Sequence, residues 1–428
     1  MLNDKFVKSF ALDSLYNGLV KLIDVGSLLI ISLMLTKVVG ISSFGVFTFF
    51  EKIIFLGKFF LVLGLDRVLL KRATTSLDIT LDDKKTFTSI IKIIGFGFLI
   101  LSLLTLLVLV FTNRVNDIQS YQIIFISVIL PTALLFIVGT FLIGKRYIWQ
   151  GSLFKQTLGR IFFIITVLCS IILIDGELSI LSISILLLTS RVLCIPILYA
   201  LIKFPEDENI TDLFVEDSSI DKTKLINEGL PYFSEQIINV LFVQSPIYLL
   251  GLFTVFSDVG LYDIAFKIST ISLLPLTVSF AAVATRTGLL LKKNALDELQ
   301  SLISTLNRFL RWYGLVFLIV ITVFGNFILS IWGISSSSAY YVLLILTITQ
   351  VLNLFFGPIE EILKIGGFEK KLAKIIFLTF VFNIVLGVVL GYLFAMMGIV
   401  VAFFISSVVY NFAKKRCLQD SLGLNIGF

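Results

Sequence analysis

The sequence has no histidine, three cysteines, three tryptophans and seven prolines in 428 residues, and only 14% of it is charged. Without histidine there is no His general base, no Ser-His-Asp triad, no HExxH zinc site and no haem-type His ligand. Membrane acyltransferases that depend on an intramembrane His are set aside for the same reason. Cys169, Cys194 and Cys417 share no metal-ligand spacing, so neither a disulfide framework nor a metal centre is expected. Against the few charges stand 58% hydrophobic residues, 42 phenylalanines among them. A soluble domain is about 45–50% apolar and about 25% charged, and single cores stop growing near roughly 250–300 residues. The chain reads as an all-α polytopic integral membrane protein.

A spanning helix needs about 20 mainly apolar residues. Twelve such spans are expected, at 12–36, 45–65, 88–111, 121–143, 158–174, 178–202, 230–252, 261–284, 309–331, 339–359, 372–394 and 397–413. The first carries Lys21 and Asp24 and is too long for a cleavable signal, so it reads as a span. Segments on the N-terminal side hold 26 of the 34 basic residues, and the opposite side only Lys37 and Arg114. The positive-inside rule then puts both termini of this multi-pass chain in the cytoplasm and supports an even number of spans. Trp149, Trp312 and Trp332 fall at span ends, as an interfacial aromatic belt requires. Outer loops are short, with no room for the chemistry of a glycosyltransferase or polymerase, and no enzyme is expected. Gly139, Gly144 and Lys145 match the opening of a Walker A motif, but Arg146 replaces its Ser or Thr and no strand precedes it.

An acidic segment, 204–228, divides the chain into an N-terminal part, 1–203, and a C-terminal part, 229–428, with six spans each. Gly45-Val46-Phe47 with Lys52 echoes Gly260-Leu261-Tyr262 with Lys267, 215 positions later. Equal span counts and this echo point to a duplicated bundle with parallel repeats, as in alternating-access transporters.

Several stretches resemble one family. Gly40-Ile-Ser-Ser-Phe-Gly45 and Gly64-Leu-Asp66-Arg67 with Leu69, Leu70 and Arg72 resemble the helix 1–2 signature of the polysaccharide-exporter branch of the MOP superfamily. Glu228-Gly-Leu-Pro231, Asp258-Val-Gly-Leu-Tyr262 with Ala265 and Lys267, and Gly366-Gly-Phe-Glu-Lys370 resemble its later motifs. Where the family often has Pro and Ser near the end of the eighth helix, this chain reads Ala284-Thr-Arg286-Thr-Gly288. The twelve spans fit the Wzx-type O-antigen or capsule-unit flippases better than the lipid II flippases, which usually have fourteen. The resemblance implies two six-helix lobes in a pseudo-twofold, MATE-like V. It also implies transfer of undecaprenyl-diphosphate-linked oligosaccharide to the outer leaflet, with ion-coupled antiport in some members. The partners it implies are that lipid-linked glycan, membrane lipids and other polysaccharide-assembly membrane proteins, with no nucleic acid and no cofactor beyond H+ or Na+ as coupling ion.

Charges inside the membrane are costly, so each is a functional candidate with a structural alternative. Lys21, Lys58 and Arg191 lie near mid-depth with Asp24 and suit a diphosphate, Arg191 best because its planar fork bonds two oxygens. Internal pairing of Lys21 with Asp24, and of Arg191 with Asp24 or Glu51, is the alternative. Arg67, Arg72 and Arg286 attract a lipid diphosphate at the inner mouth or serve as positive-inside anchors. Asp24, Glu51, Asp263 and Glu235 are candidates for ion coupling, although Asp263 has the spacing to pair with Lys267. Pro246 and Pro275 are candidate hinges. The competing functions are a multidrug or cation antiporter of the same superfamily and a non-transporting scaffold of a glycan-assembly complex.

Overall fold

The computed structural model describes residues 4–74, 80–111, 120–173, 178–201 and 221–424. Arg114, Lys203 and residues 204–220 of the acidic segment lie outside them. In chain order the helices are α1 (Asp4–Val62), α2 (Leu65–Ala73), α3 (Leu81–Phe111), α4 (Ser120–Ser127), α5 (Ile129–Gly144), α6 (Ile148–Ser152), α7 (Leu158–Leu173) and α8 (Ile180–Leu201). They continue with α9 (Lys222–Phe253), α10 (Phe256–Thr270), α11 (Leu274–Lys292), α12 (Leu296–Ile331), α13 (Ser337–Phe356), α14 (Ile359–Ile365) and α15 (Glu369–Leu422). No strand occurs among the described residues. A bilayer leaves no water for backbone groups, and a helix satisfies them within its own segment.

Among the described residues, ten helical stretches are long and apolar enough to cross a membrane. Two of them are broken inside, α1 at Gly40 and α15 at Ala395, where the backbone leaves the helical region. Counting each broken helix as two crossings brings ten to the twelve expected from hydropathy. The breaks follow the chemistry. Gly40 sits at φ 78°, ψ 166°, a region open to glycine. Pro131 follows the interruption between α4 and α5, and Pro275 stands in the first turn of α11, after a 3₁₀ turn at Ile271–Leu273. The segment expected to cross at 261–284 is therefore two helices rather than one. The last residues of the acidic segment, 222–228, are not a tether but the first turns of α9.

The chain divides into two compact units, one of Met1–Ile31 with Phe50–Ile237 and the other of Ser32–Phe49 with Ile238–Phe428. In lipid, apolar side chains gain little by leaving the surroundings for a neighbouring helix, so close fit and internal hydrogen bonds carry the packing. Buried hydroxyls bond their own helix: Thr36 donates to the Ser32 carbonyl at 2.6 Å, Thr140 to Phe136 at 2.8 Å and Ser245 to Phe242 at 2.8 Å. In the first unit Lys145 is buried and reaches Asp83 at 2.7 Å, which disposes of the Walker-like match: the lysine is an internal ion-pair partner at the end of an apolar helix. In the second unit the repeated Gly-aromatic motifs meet, a Cβ on Gly260 falling 3.2 Å from the Gly45 amide nitrogen. Trp332, expected in the interfacial belt, is instead buried, its indole N–H donating to the Ser32 hydroxyl at 3.1 Å. A buried indole needs an acceptor, and Ser32 supplies one. Trp312 is 68% exposed, as an interfacial tryptophan should be.

Candidate functional site

The interior of the first unit gathers charge. Lys58, on the part of α1 after the Gly40 break, is 1% exposed, and its ammonium lies over the rings of Phe55, Phe59 and Phe136 at 4.3, 4.6 and 4.2 Å. Lys155 covers Phe136 as well, at 4.1 Å, so that ring is shared by two cations. Ring quadrupoles stabilise an ammonium more strongly once water is excluded. Lys155 is carried by a π-helical turn, Leu153–Thr157, between α6 and α7. Such one-turn insertions rotate the side chains that follow. Beyond the turn Arg160 bonds the Asp24 carboxylate, which also accepts from the Thr157 hydroxyl at 3.1 Å.

Arg191, on α8, donates through Nη1 to the Gln156 carbonyl at 3.4 Å, and its buried Nε has no hydrogen-bond partner. Arg160, Glu51 and Asp24 act on it electrostatically. Lys155, Arg160, Asp66 and Arg191 act on Lys58. The room for the Arg191 guanidinium comes from Gly159, where a Cβ would lie 1.9 Å from Nη1. Four cations (Lys58, Lys155, Arg160 and Arg191) thus share one interior with three carboxylates (Asp24, Glu51 and Asp66), and Lys52 attaches to Glu51 at 3.8 Å. Arg191 is half-buried as a residue but its Nε is buried, and leaving such a donor unmade costs free energy.

Of the candidates read from the sequence, Lys58, Arg191, Asp24 and Glu51 come together here. Lys21 does not join them: it is exposed one turn before Asp24, whose carboxylate turns to Arg160. Lys155 and Arg160 read from sequence as positive-inside residues. Their only sequence signal is that they flank Gly159 at the start of an apolar run. Arg67 is exposed beside Asp66 at 3.9 Å, and Arg286 is exposed on α11, lining a cavity with Lys293 and Glu298. Glu235 is half-buried on α9, Pro246 lies buried within α9, and Pro275 lies in the first turn of α11.

The interior of the second unit is different in kind. Asp263 and Lys267 pair at 2.5 Å, as their spacing predicts, with the Lys267 ammonium 5.3 Å from the Phe44 ring. Elsewhere uncharged groups bond one another: Asn411 donates to Asn353 at 2.6 Å, Asn353 to Gln350 at 2.9 Å, and Asn383 to Ser245 at 2.6 Å. Glu360, in the connection between α13 and α15, accepts from Lys364 at 3.0 Å and from the Tyr410 hydroxyl at 3.3 Å. Burial pushes the Glu360 carboxyl up, but Lys414 and Lys364 with these two hydrogen bonds outweigh it and hold it below the ordinary glutamate value. Among the described residues no group of three or more Cys, Asp or Glu is arranged to hold a metal ion.

Three solved structures share this fold over nearly the whole chain. An inward-facing multidrug resistance MATE family transporter of the MOP superfamily matches with a TM-score of 0.63 at 17% identity, covering 95% of each chain. The lipid II flippase MurJ in an inward closed conformation matches with a TM-score of 0.71 at 13% identity, covering 94% of this chain and 87% of its own. The MATE multidrug transporter DinF-BH matches with a TM-score of 0.65 at 16% identity and 96% coverage of both. None of the curated proteins matches by sequence. Residues 10–285, well over half the chain, match the family described as "Polysaccharide biosynthesis protein". With that match and the fold of the MOP-superfamily transporters, the chain belongs to the polysaccharide biosynthesis protein family.

Proposed function

We propose that this protein is a flippase that carries an undecaprenyl-diphosphate-linked oligosaccharide from the cytoplasmic to the outer leaflet of a bacterial inner membrane, by alternating access and with no covalent step. The observation that carries the reading is the interior of the first unit, where Arg191 and three further cations outnumber their carboxylates and Arg191 keeps an unpartnered Nε. A diphosphate leaving the leaflet surface needs replacement donors, and guanidinium supplies them in pairs. A carrier of cationic drugs needs the opposite balance of charge, which weighs against the multidrug-antiporter alternative despite the shared fold. A scaffold has no use for a half-buried arginine with an unpartnered Nε. The family's name and the lipid II flippase fold support the same reading.

Coupling to a proton or a sodium ion falls to a carboxylate, since histidine is absent. Asp24, Glu51, Glu235 and Asp263 are the candidates we assign. The sidedness follows from the positive-inside count, with both termini cytoplasmic. The test is deletion of the gene in its host with surface glycan as readout. Loss of surface glycan, rescued by wild type and not by Arg191→Ala at equal protein abundance, is expected; unchanged glycan in the deletion strain sinks the reading.

A further inference from the structure

Within the first unit, the first turns of α9 lie along the end of α1 and along α2, held by three ties. Gly64 (φ +73°) and Gly229 touch backbone to backbone, since a Cβ on Gly64 would fall 2.2 Å from the Gly229 carbonyl oxygen. The Gln236 amide donates to buried Asp66 at 3.2 Å, while its own Oε1 has no partner. Arg72 Nη2 donates to Glu228 at 2.9 Å, and Arg72 Nη1 is held from behind by Thr86 at 3.5 Å.

The third tie differs from the others in being open to competition. Its two side chains are 26% and 39% exposed, whereas Asp66 is 3% exposed. Beside it opens a cavity of about 390 Å³ lined by Val68, Lys71, Arg72, Glu228 and Tyr232. Its lining carries two cations against one carboxylate, with an apolar wall between them. A partly exposed ion pair contributes about 1 kcal/mol or less, so a ligand of higher negative charge displaces the carboxylate readily. A phosphate suits the same guanidinium fork, and a neighbouring lysine adds a point charge to it. The Glu228 carboxylate occupies the position that fits a phosphate.

We infer that Lys71 and Arg72 form a docking site for the phosphate-bearing head of a lipid, in which the phosphate replaces Glu228 on Arg72 and releases the first turns of α9 from α2. The inference rests on the flippase reading for the identity of the lipid, and it adds an acceptor site distinct from the buried cluster around Arg191. The apolar wall of Val68 and Tyr232 receives the start of the lipid chain. Thr86 keeps Arg72 in position after Glu228 leaves. Glu228 then acts as a counter-ion that holds α9 closed only while no head group is present.

The test uses full-length protein in phosphatidylcholine nanodiscs, with Cys169→Ser, bimane on Asn227→Cys, next to Glu228, and a quenching Thr74→Trp at the end of α2, two residues after Arg72. Farnesyl diphosphate is expected to relieve the quenching, and Glu228→Gln to relieve it without ligand. Lys71→Gln leaves the Arg72–Glu228 bridge intact, so quenching is retained, but the farnesyl diphosphate needed for the response rises by about 10-fold or more, the worth of one charged contact. Quenching that persists at saturating farnesyl diphosphate, or a Lys71→Gln response at the wild-type concentration, overturns the docking site while leaving the flippase reading intact. Equal relief by inorganic diphosphate overturns the lipid assignment, and relief on exchange into phosphatidylglycerol nanodiscs transfers the site to bulk phospholipid. Unchanged surface glycan on gene deletion overturns the reading beneath it.

Discussion

The two units solve the same problem, polar groups inside a helical membrane protein, in opposite ways. In the first, cations outnumber acids and their bonds are incomplete: Arg191 retains a free Nε, and Lys58 has aromatic rings rather than an acid around its ammonium. In the second, Asp263 and Lys267 pair one turn apart and amides bond amides, although Asn307 Oδ1, Asn411 Oδ1 and the Tyr262 hydroxyl are buried without a hydrogen-bond partner. The difference lies in charge rather than in how completely the bonds are made: the first unit carries a surplus of cationic donors, and the second bonds mostly neutral amides. On the flippase reading proposed above, the first unit is the one that handles the anionic cargo.

The contrast breaks most sharply at Asp24. Asp24→Asn leaves Arg160, 14% exposed, without its counter-ion, and is expected to cost about 2–3 kcal/mol, below the 3–5 for a fully buried pair. The measurement is thermal unfolding in detergent, and a Tm unchanged within error removes the ion pair from the account. Next, Gly159→Ala drives a methyl into the Arg191 guanidinium, an overpacking of about 1–3 kcal/mol. Surface glycan should fall while protein abundance holds; full rescue by this variant shows that Arg191 works from elsewhere.

In the second unit Asn411→Ala strips the donor from the Asn353 carbonyl oxygen and should lower stability by about 1–2 kcal/mol with glycan export preserved. Lost export at normal stability would merge the roles that the two interiors keep apart. The smallest effect concerns Glu360. Its folded value lies below the unfolded one, so its contribution is complete above about pH 4.5 and fades as pH falls through the folded value. The Tm difference between wild type and Glu360→Gln should shrink on acidification from pH 7 toward 4. A difference that grows instead reverses the sign of the interaction.

What was legible in the sequence was whatever depends on neighbours along the chain. The spans follow from length and apolarity, and Asp263–Lys267 follows from helical periodicity. The positions of Lys58 and Arg191 follow from the rule that charge at mid-depth is kept only for a reason. What was not legible depends on which helices lie together. Asp24 is one turn from Lys21 yet pairs with Arg160, 136 residues away. Lys155 looked like a surface anchor because hydropathy carries no record of the π-turn that carries it or of the Phe136 ring it covers. Trp332 sat at a span end and looked interfacial, but its acceptor, Ser32, is 300 positions away.

By itself, then, the sequence determined that the chain is a bundle of about twelve membrane-crossing helices of one transporter family, because a bilayer admits few solutions to 58% apolar content without histidine chemistry. Only the tertiary structure decided which charges are partners and which are in excess. Hydrogen bonds form only at about 3 Å and an ion pair is strongest at contact, and proximity on that scale is set by how helices distant in sequence pack.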